Sequence, residues 1–177
     1  MHRQVLCILV AALGGCASER HPDIPNGRSV GAVSGSIIPA KPQDQYPSKP
    51  GTHFESPTSY SDNPTPSYPE QLLAAKLPPI EVRVRIVVDE RGRVTSVTPL
   101  DKLPPDQEGF LSSVESALSD WRFWPLVQIT DGPGTSTVTA SDGETMQYSG
   151  SAAPLPFYQD YQFVFRQHDG KGFISTK

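Results

Sequence analysis

Hydrophobic and polar residues alternate most regularly between Val82 and Asp89, where every second residue is apolar. The apolar positions are Val82, Val84, Ile86 and Val88, and Arg83, Arg85, Val87 and Asp89 lie between them. A period of two predicts a β-strand with one apolar face. A turn sequence follows at residues 89–92, in which Gly92 is free to adopt a positive φ. Val94 and Val97 then begin a return strand that ends near Pro99, so this stretch predicts a β-hairpin.

A helical pattern follows the hairpin. Apolar side chains recur at i, i+1, i+4, i+7, i+8 and i+11, at Phe110, Leu111, Val114, Ala117, Leu118 and Trp121. This stripe predicts an amphipathic helix over residues 107–121, with Asp106 as its N-cap. A shorter helix is predicted to begin at Pro69 and to stop at Pro78-Pro79, since proline is tolerated only in the first turn.

The last clear strand covers residues 158–166, where three aromatic residues alternate with Gln162, Val164 and Arg166. Between helix and strand, residues 127–156 are rich in Gly, Ser, Thr and Asp, and Asp142-Gly143 indicates a small hairpin. The expected fold is therefore α+β, a small three-stranded antiparallel sheet with one or two helices. Its expected core comprises Val82, Val84, Ile86, Val88, Val114, Leu118, Trp121 and Phe163.

Composition divides the chain into regions. Proline accounts for 19 of 177 residues, and nine of them fall in the 52 residues from Ala17 to Tyr68. Such a segment has too few large apolar residues to offset its chain entropy. We therefore expect a disordered tether over residues 16–67, a folded domain over 68–168 and a loose tail over 169–177. A short apolar patch at residues 35–39 is either incidental or a contact site.

The N-terminus resembles a bacterial lipoprotein signal. A short positive start precedes the apolar run Val5 to Leu13, which is too short to span a membrane. The run ends in Leu13-Gly14-Gly15-Cys16, which resembles a lipobox. Residues 1–15 are expected to be removed and Cys16 to be lipidated; the alternative is an ordinary signal with an incidental cysteine. By this resemblance, the protein is expected in the cell envelope, anchored to the outer membrane and facing the periplasm.

The ordered set of motifs in the predicted domain is similar to that of the TonB C-terminal domain family. The resemblance covers residues 68–126 and 158–166. It begins with Tyr68-Pro69 and a short helix, continues through the strand and turn of residues 82–94, and closes with Trp121-Arg122-Phe123-Trp124-Pro125. Departures include Ile80 in place of a glycine, and Phe110-Leu111 in place of Leu-Asp. The segment before the last strand is also longer than usual.

The resemblance implies a function in protein binding. TonB domains receive an extended receptor segment at their C-terminal strand, and an edge strand offers unpaired N–H and C=O groups for such pairing. The corresponding partner-binding residues are Gln159, Asp160, Tyr161, Gln162, Phe163, Val164, Phe165 and Arg166. The implied partner is an envelope protein, such as a TonB-dependent outer-membrane receptor. TonB proteins begin with a transmembrane helix, whereas this chain has a lipobox, so a regulator, adaptor or diverged paralogue is expected before an energised transducer.

Other classes of function have little support in the sequence. Net charge is −4 and Lys and Arg do not cluster, which argues against a nucleic-acid surface. No metal-ligand spacing or catalytic motif occurs, so no cofactor and no enzymatic activity are expected. Trp121, Phe123 and Trp124 are either core residues or a ligand platform. The outer sheet face is either solvated or an acidic-partner patch formed by Arg83, Arg85 and Arg93. The main alternative function is a structural envelope lipoprotein whose domain packs or forms a homodimer.

Overall fold

The computed structural model describes residues 31–38, 46, 47 and 49–167. Its strands are β1 (Gly31–Ile38), β2 (Thr52–Glu55), β3 (Thr58–Ser59), β4 (Ile80–Val88), β5 (Val94–Pro99), β6 (Phe123–Trp124), β7 (Leu126–Thr139), β8 (Thr145–Leu155) and β9 (Phe157–Gln167). The α-helix α1 spans Glu108–Ser119, and 3₁₀ helices span Glu70–Ala75 and Pro105–Gln107. The predicted signal, Cys16 and the predicted tail at 169–177 lie outside the described residues.

The main sheet has four antiparallel strands in the order β1-β9-β4-β5. The predicted hairpin is β4 and β5, the predicted last strand is β9, and the predicted helix is α1, which contacts β4 and β5 on one face. The expectation of an α+β fold with antiparallel strands is confirmed. The expectation of three strands is wrong, because β1 adds a fourth strand to this sheet and further strands form two smaller sheets.

The core lies between the main sheet and α1. Seven of the eight expected core residues are buried there, and Trp121 is half-buried against the same cluster. The Trp121 indole N–H donates to the carbonyl of Pro64 at 2.7 Å, which keeps the polar edge of the ring satisfied near the surface. Tyr68 packs edge-on against Phe110, with ring centroids 5.0 Å apart, and so closes the end of the core. The short 3₁₀ helix follows directly, with Pro69 at its N-cap position.

The β4–β5 turn is organised by the Asp89 carboxylate. It accepts hydrogen bonds from the backbone N–H groups of Arg91 at 3.0 Å and Arg93 at 2.9 Å, and from the Arg93 guanidinium at 3.0 Å. Burial alone would raise the pKa of Asp89, but the hydrogen bonds from Arg93 and Arg91 outweigh it and hold the pKa below its usual range. The folded state therefore favours the charged carboxylate.

We expect Asp89→Asn to weaken the acid dependence of stability. Because the folded pKa is depressed, the stabilisation from Asp89 is complete above the unfolded pKa of about 3.9 and is lost as the pH falls through the folded value. The free energy of unfolding, measured by urea titration from about pH 5 down to about pH 2, should fall less steeply in Asp89→Asn than in the wild type. Asp106→Asn, at an exposed aspartate before α1, is the control. Equal slopes for the wild type and Asp89→Asn would contradict the assignment.

A second, smaller core was not expected from the sequence. The long hairpin β7–β8 pairs with β2 in a three-stranded sheet, and its turn contains the predicted Asp142-Gly143. This sheet buries Trp124, Val127, Ile129, Val138, Ala140 and Tyr148. Neighbouring residues of an extended strand point in opposite directions, so Phe123 enters the first core while Trp124 enters the second. The small hairpin predicted around Asp142-Gly143 is confirmed, as the end of the longer β7–β8 hairpin.

Two further expectations are corrected. Strands β1, β2 and β3 lie in the range predicted to be a disordered tether, so for the described residues of that range the expected boundary at residue 68 is wrong. These strands form because distant strands pair with them, which local composition does not reveal. The expected N-cap of α1 is also wrong: Asp106 lies in the 3₁₀ turn before α1, and Gln107 occupies the N-cap position without a side-chain hydrogen bond.

Among the described residues, none of the helices has the length and apolar character to cross a membrane.

Candidate functional site

The predicted binding strand lies inside the main sheet. β9 pairs with β4 along one side and with β1 along the other, where residues 31–38 face residues 160–167 in antiparallel register. The expectation that Gln159 to Arg166 form an open edge is therefore corrected, since the chain itself covers that edge. The covering strand includes most of the apolar patch that the sequence left undecided between an incidental stretch and a contact site.

The eight predicted binding residues divide between the two faces of the sheet. Tyr161, Phe163 and Phe165 are buried against the helix side. Burial raises the pKa of Tyr161 to about 12, and its hydroxyl donates to the Gln159 carboxamide oxygen at 3.1 Å. The residues on the opposite face are Asp160, Gln162, Val164 and Arg166. The aromatic residues thus stabilise the fold, and the other predicted binding residues lie on the opposite face.

β1 fits against β9 through a close contact between Gly35 and Phe163. The two residues are directly paired, and a Cβ on Gly35 would lie 2.9 Å from the Phe163 ring. The ring has little freedom to move, because it is 2% exposed and packs between Trp121 and Tyr161 with centroids 6.2 Å from each. A residue larger than glycine therefore does not fit at this position without displacing the strand or the ring.

Apart from this contact, few β1 side chains hold the strand in place. Val33 is half-buried against the core, while Ile37 is 55% exposed. The Arg166 guanidinium donates a long hydrogen bond to the Ser34 hydroxyl at 3.4 Å. By contrast, all five apolar residues on the inner face of β4 are buried. Backbone pairing along eight residues is therefore the main attachment of β1.

The free edge of the main sheet on this side is the outer edge of β1, which pairs with no other strand among the described residues. The eight residues of β1 include no charged residue and no proline, the two features that usually protect an edge strand from pairing with another chain. At the other edge of the sheet, β5 has six residues and ends in Pro99. The β1 side is therefore the less protected edge of this sheet.

The outer face of the main sheet is charged but internally paired. The Arg83 guanidinium donates to both Asp101 oxygens at 2.6 and 2.7 Å. Arg85 makes the same bidentate contact with Asp160, at 2.7 and 2.9 Å, and lies 4.2 Å from the centroid of the Tyr158 ring. The cations that the sequence suggested as a patch for an acidic partner are thus bound by carboxylates of the same chain. Arg93, the third of them, is paired with Asp89 at the turn.

The second core carries an open groove of about 490 Å³ that the sequence did not indicate. Its lining comprises Glu55, Thr58, Tyr60, Trp124, Glu144, Thr145 and Met146. Burial, together with the nearby Asp142 carboxylate, raises the pKa of Tyr60 to about 12. Trp124, considered from the sequence as part of a ligand platform, contributes one wall but is only 8% exposed, and its indole N–H donates to the Tyr148 hydroxyl at 3.3 Å. Trp121 and Phe123 belong to the other core.

No metal centre is assembled within the described part of the chain, where no group of three or more His, Cys, Asp and Glu side chains has a metal-binding arrangement. Comparisons of the chain with protein-family models, with curated proteins and with solved structures gave no match. The resemblance to TonB C-terminal domains thus stays an expectation drawn from the sequence motifs. The candidate site is the side of the main sheet where β1, the terminal strand, pairs with β9. We call it the β1–β9 edge.

Proposed function

We propose that this protein is a lipid-anchored envelope protein whose domain binds an extended segment of another envelope protein by strand addition at the β1–β9 edge. The observation that carries the proposal is the pairing of β1 with β9. β1 is an uncharged segment more than a hundred residues away from β9 in sequence, and it pairs with β9 along eight residues. The edge of β9 therefore accepts an extended strand, and it does so mainly through backbone pairing, as in strand-addition recognition.

The class of partner comes from the sequence motifs. The resemblance to TonB C-terminal domains implies a TonB-dependent outer-membrane receptor or a similar outer-membrane protein with an extended periplasmic segment. The lipobox ending at Cys16 would place the domain at the same membrane. A lipid anchor does not transmit force from an inner-membrane motor as a transmembrane helix can, so we propose an adaptor or regulator of such receptors; a diverged transducer is the alternative.

A second candidate is favoured by one observation. The predicted binding edge of β9 is already covered, although by β1 and not by the hairpin β7–β8 or another chain. If β1 remains in place and its outer edge pairs with no other protein, or only with a second copy of the chain, the domain is a structural module that packs in the envelope or forms a homodimer. The two candidates differ in whether the β1–β9 edge contacts another protein in the cell.

Site-specific photocrosslinking in cells distinguishes these two functions. We expect a photoreactive residue at Arg166 on β9 to capture an outer-membrane receptor through its extended periplasmic segment. A probe at Ile37 on β1 captures the same receptor where the segment adds beside β1 instead of replacing it. The same probe at Leu100, 41% exposed beyond β5 at the far edge of the sheet, is the matched control for the 55% exposed Ile37. Mass spectrometry of the crosslinked peptides identifies the segment.

Two results would contradict the proposal. Capture of the same proteins at Leu100 as at Ile37 and Arg166 would mean that contact is not specific to this edge. Capture of a second copy of the chain alone would instead support the structural candidate.

A further inference from the structure

The pairing of Gly35 with Phe163 gives the β1–β9 edge a sequence preference. Backbone pairing by itself accepts almost any extended segment, and selectivity comes from alternate side chains. Along β1 the residues on the inner face are Val33, Gly35 and Ile37, opposite Phe165, Phe163 and Tyr161. Of these three positions, the middle one disfavours a side chain, because a Cβ there would lie 2.9 Å from the Phe163 ring.

The attachment of β1 also suits a strand that is exchanged. Val33 supplies its half-buried apolar contact to the core, and Ile37 remains largely exposed at the end of the strand. A segment with the same spacing of apolar residue and glycine would make equivalent contacts with β9. Its backbone would pair with the same N–H and C=O groups that β1 uses.

We propose that the outer edge of β9 is a selective strand-binding site, that β1 occupies it as an internal ligand, and that a partner binds by replacing β1. The ligand is an extended peptide of another protein with the pattern apolar-x-Gly, in which the apolar residue lies opposite Phe165 and the glycine opposite Phe163. This inference rests on the proposed function and adds to it the sequence class of the bound segment and the occupant that it displaces.

The test uses the full chain and a labelled synthetic peptide with the sequence of residues 31–38, followed by fluorescence anisotropy. In the wild type, β1 competes with the peptide. The substitution Gly35→Val puts a branched side chain against the Phe163 ring and should release β1. Because apparent affinity scales with the fraction of open sites, the peptide should bind Gly35→Val at least about tenfold more tightly than the wild type.

Two controls separate this effect from general damage to the fold. Ser36→Val places the same side chain at the next position, which is exposed and pairs with Gln162 on the opposite face, so it should bind the peptide as weakly as the wild type. Val33→Ser weakens β1 without adding bulk and should also tighten peptide binding. A peptide in which valine replaces the glycine should not bind Gly35→Val.

The outcomes distinguish this inference from the proposed function. If Gly35→Val and Val33→Ser bind the peptide no better than the wild type, the exchange of β1 is overturned. Capture of a receptor at Ile37 would then still support partner binding at the outer edge of β1. If the peptide binds as expected but the crosslinks identify no receptor, the site stands and the proposed class of partner fails. Peptide binding that does not depend on the glycine would also overturn the inference. So would wild-type dimers that are lost in Gly35→Val, because β1 would then be exchanged between copies of the chain.

Discussion

Gly92→Ala is expected to lower the free energy of unfolding by about 3 kcal/mol or more. Gly92 has a φ of +80°, and a Cβ at this position would lie 1.8 Å from the carbonyl oxygen of Phe123. The obstacle is backbone, so a change of side-chain rotamer cannot relieve the clash. Phe123 also donates its backbone N–H to the Gly92 carbonyl at 2.8 Å, so moving Phe123 away from the new Cβ would break this hydrogen bond.

The matched control for this prediction is Gly143→Ala. Gly143 has a similar φ of +90°, but no atom lies within 4 Å of the space that its Cβ would occupy. Only the conformational cost of a positive φ remains there, about 1 kcal/mol. Chemical denaturation of the wild type and the two variants gives the difference directly. Equal losses at the two positions would show that the contact between Gly92 and Phe123 does not constrain the turn.

The elements of the main sheet that were predictable from the sequence carry their own periodicity. β4 alternates over nine residues, and α1 has a continuous apolar stripe, so both are recognised from the chain alone. β1 has only a weak alternation in which glycine occupies one of the inner positions. Its strand character depends on β9, more than a hundred residues later, and a pattern confined to one segment does not contain that information.

The second core was missed for a related reason. The segment from Leu126 to Leu155 has the composition of a loop, with a bulge in β7 between Thr130 and Thr135 that interrupts its alternation. The Ser136 hydroxyl stabilises this bulge by donating to the Gly150 carbonyl at 3.0 Å and accepting from the Ala152 N–H at 2.7 Å. Trp124 was the available sequence signal for the second core. In an extended chain its side chain points away from that of the neighbouring, buried Phe123, and therefore toward a different environment.

The candidate site was predicted in part. The sequence motifs directed attention to β9, and this strand does lie next to the less protected edge of the main sheet. The occupant of that edge and the glycine preference opposite Phe163 depend on a three-dimensional contact. The patch at residues 35–39 was the only sequence signal for them, and its composition alone did not identify a binding partner within the chain.

Cys16→Ala is expected to abolish fatty-acid labelling and to move the protein from the membrane fraction to the soluble fraction. Stable anchoring takes more than one acyl chain, and the expected lipidation is at Cys16, so loss of its thiol removes the attachment. Metabolic labelling with a fatty-acid analogue, followed by membrane fractionation, measures both effects. Cys7→Ala is the matched control, because Cys7 lies in the segment expected to be removed and its loss should change neither result.

The position of β1 makes this anchor a constraint on where binding occurs. Gly31 begins β1 only 15 residues after Cys16 (31 − 16), so a fully extended connection spans at most about 50 Å. A 52-residue tether in extended polyproline geometry would span about 160 Å. With Cys16 lipidated and β1 paired with β9, this edge is therefore held near the membrane surface when a partner segment first meets it. Cys16→Ala should thus also reduce the receptor capture proposed for Arg166 while leaving the unfolding transition unchanged. Labelling and membrane association equal to those of the wild type would show that the cysteine is incidental.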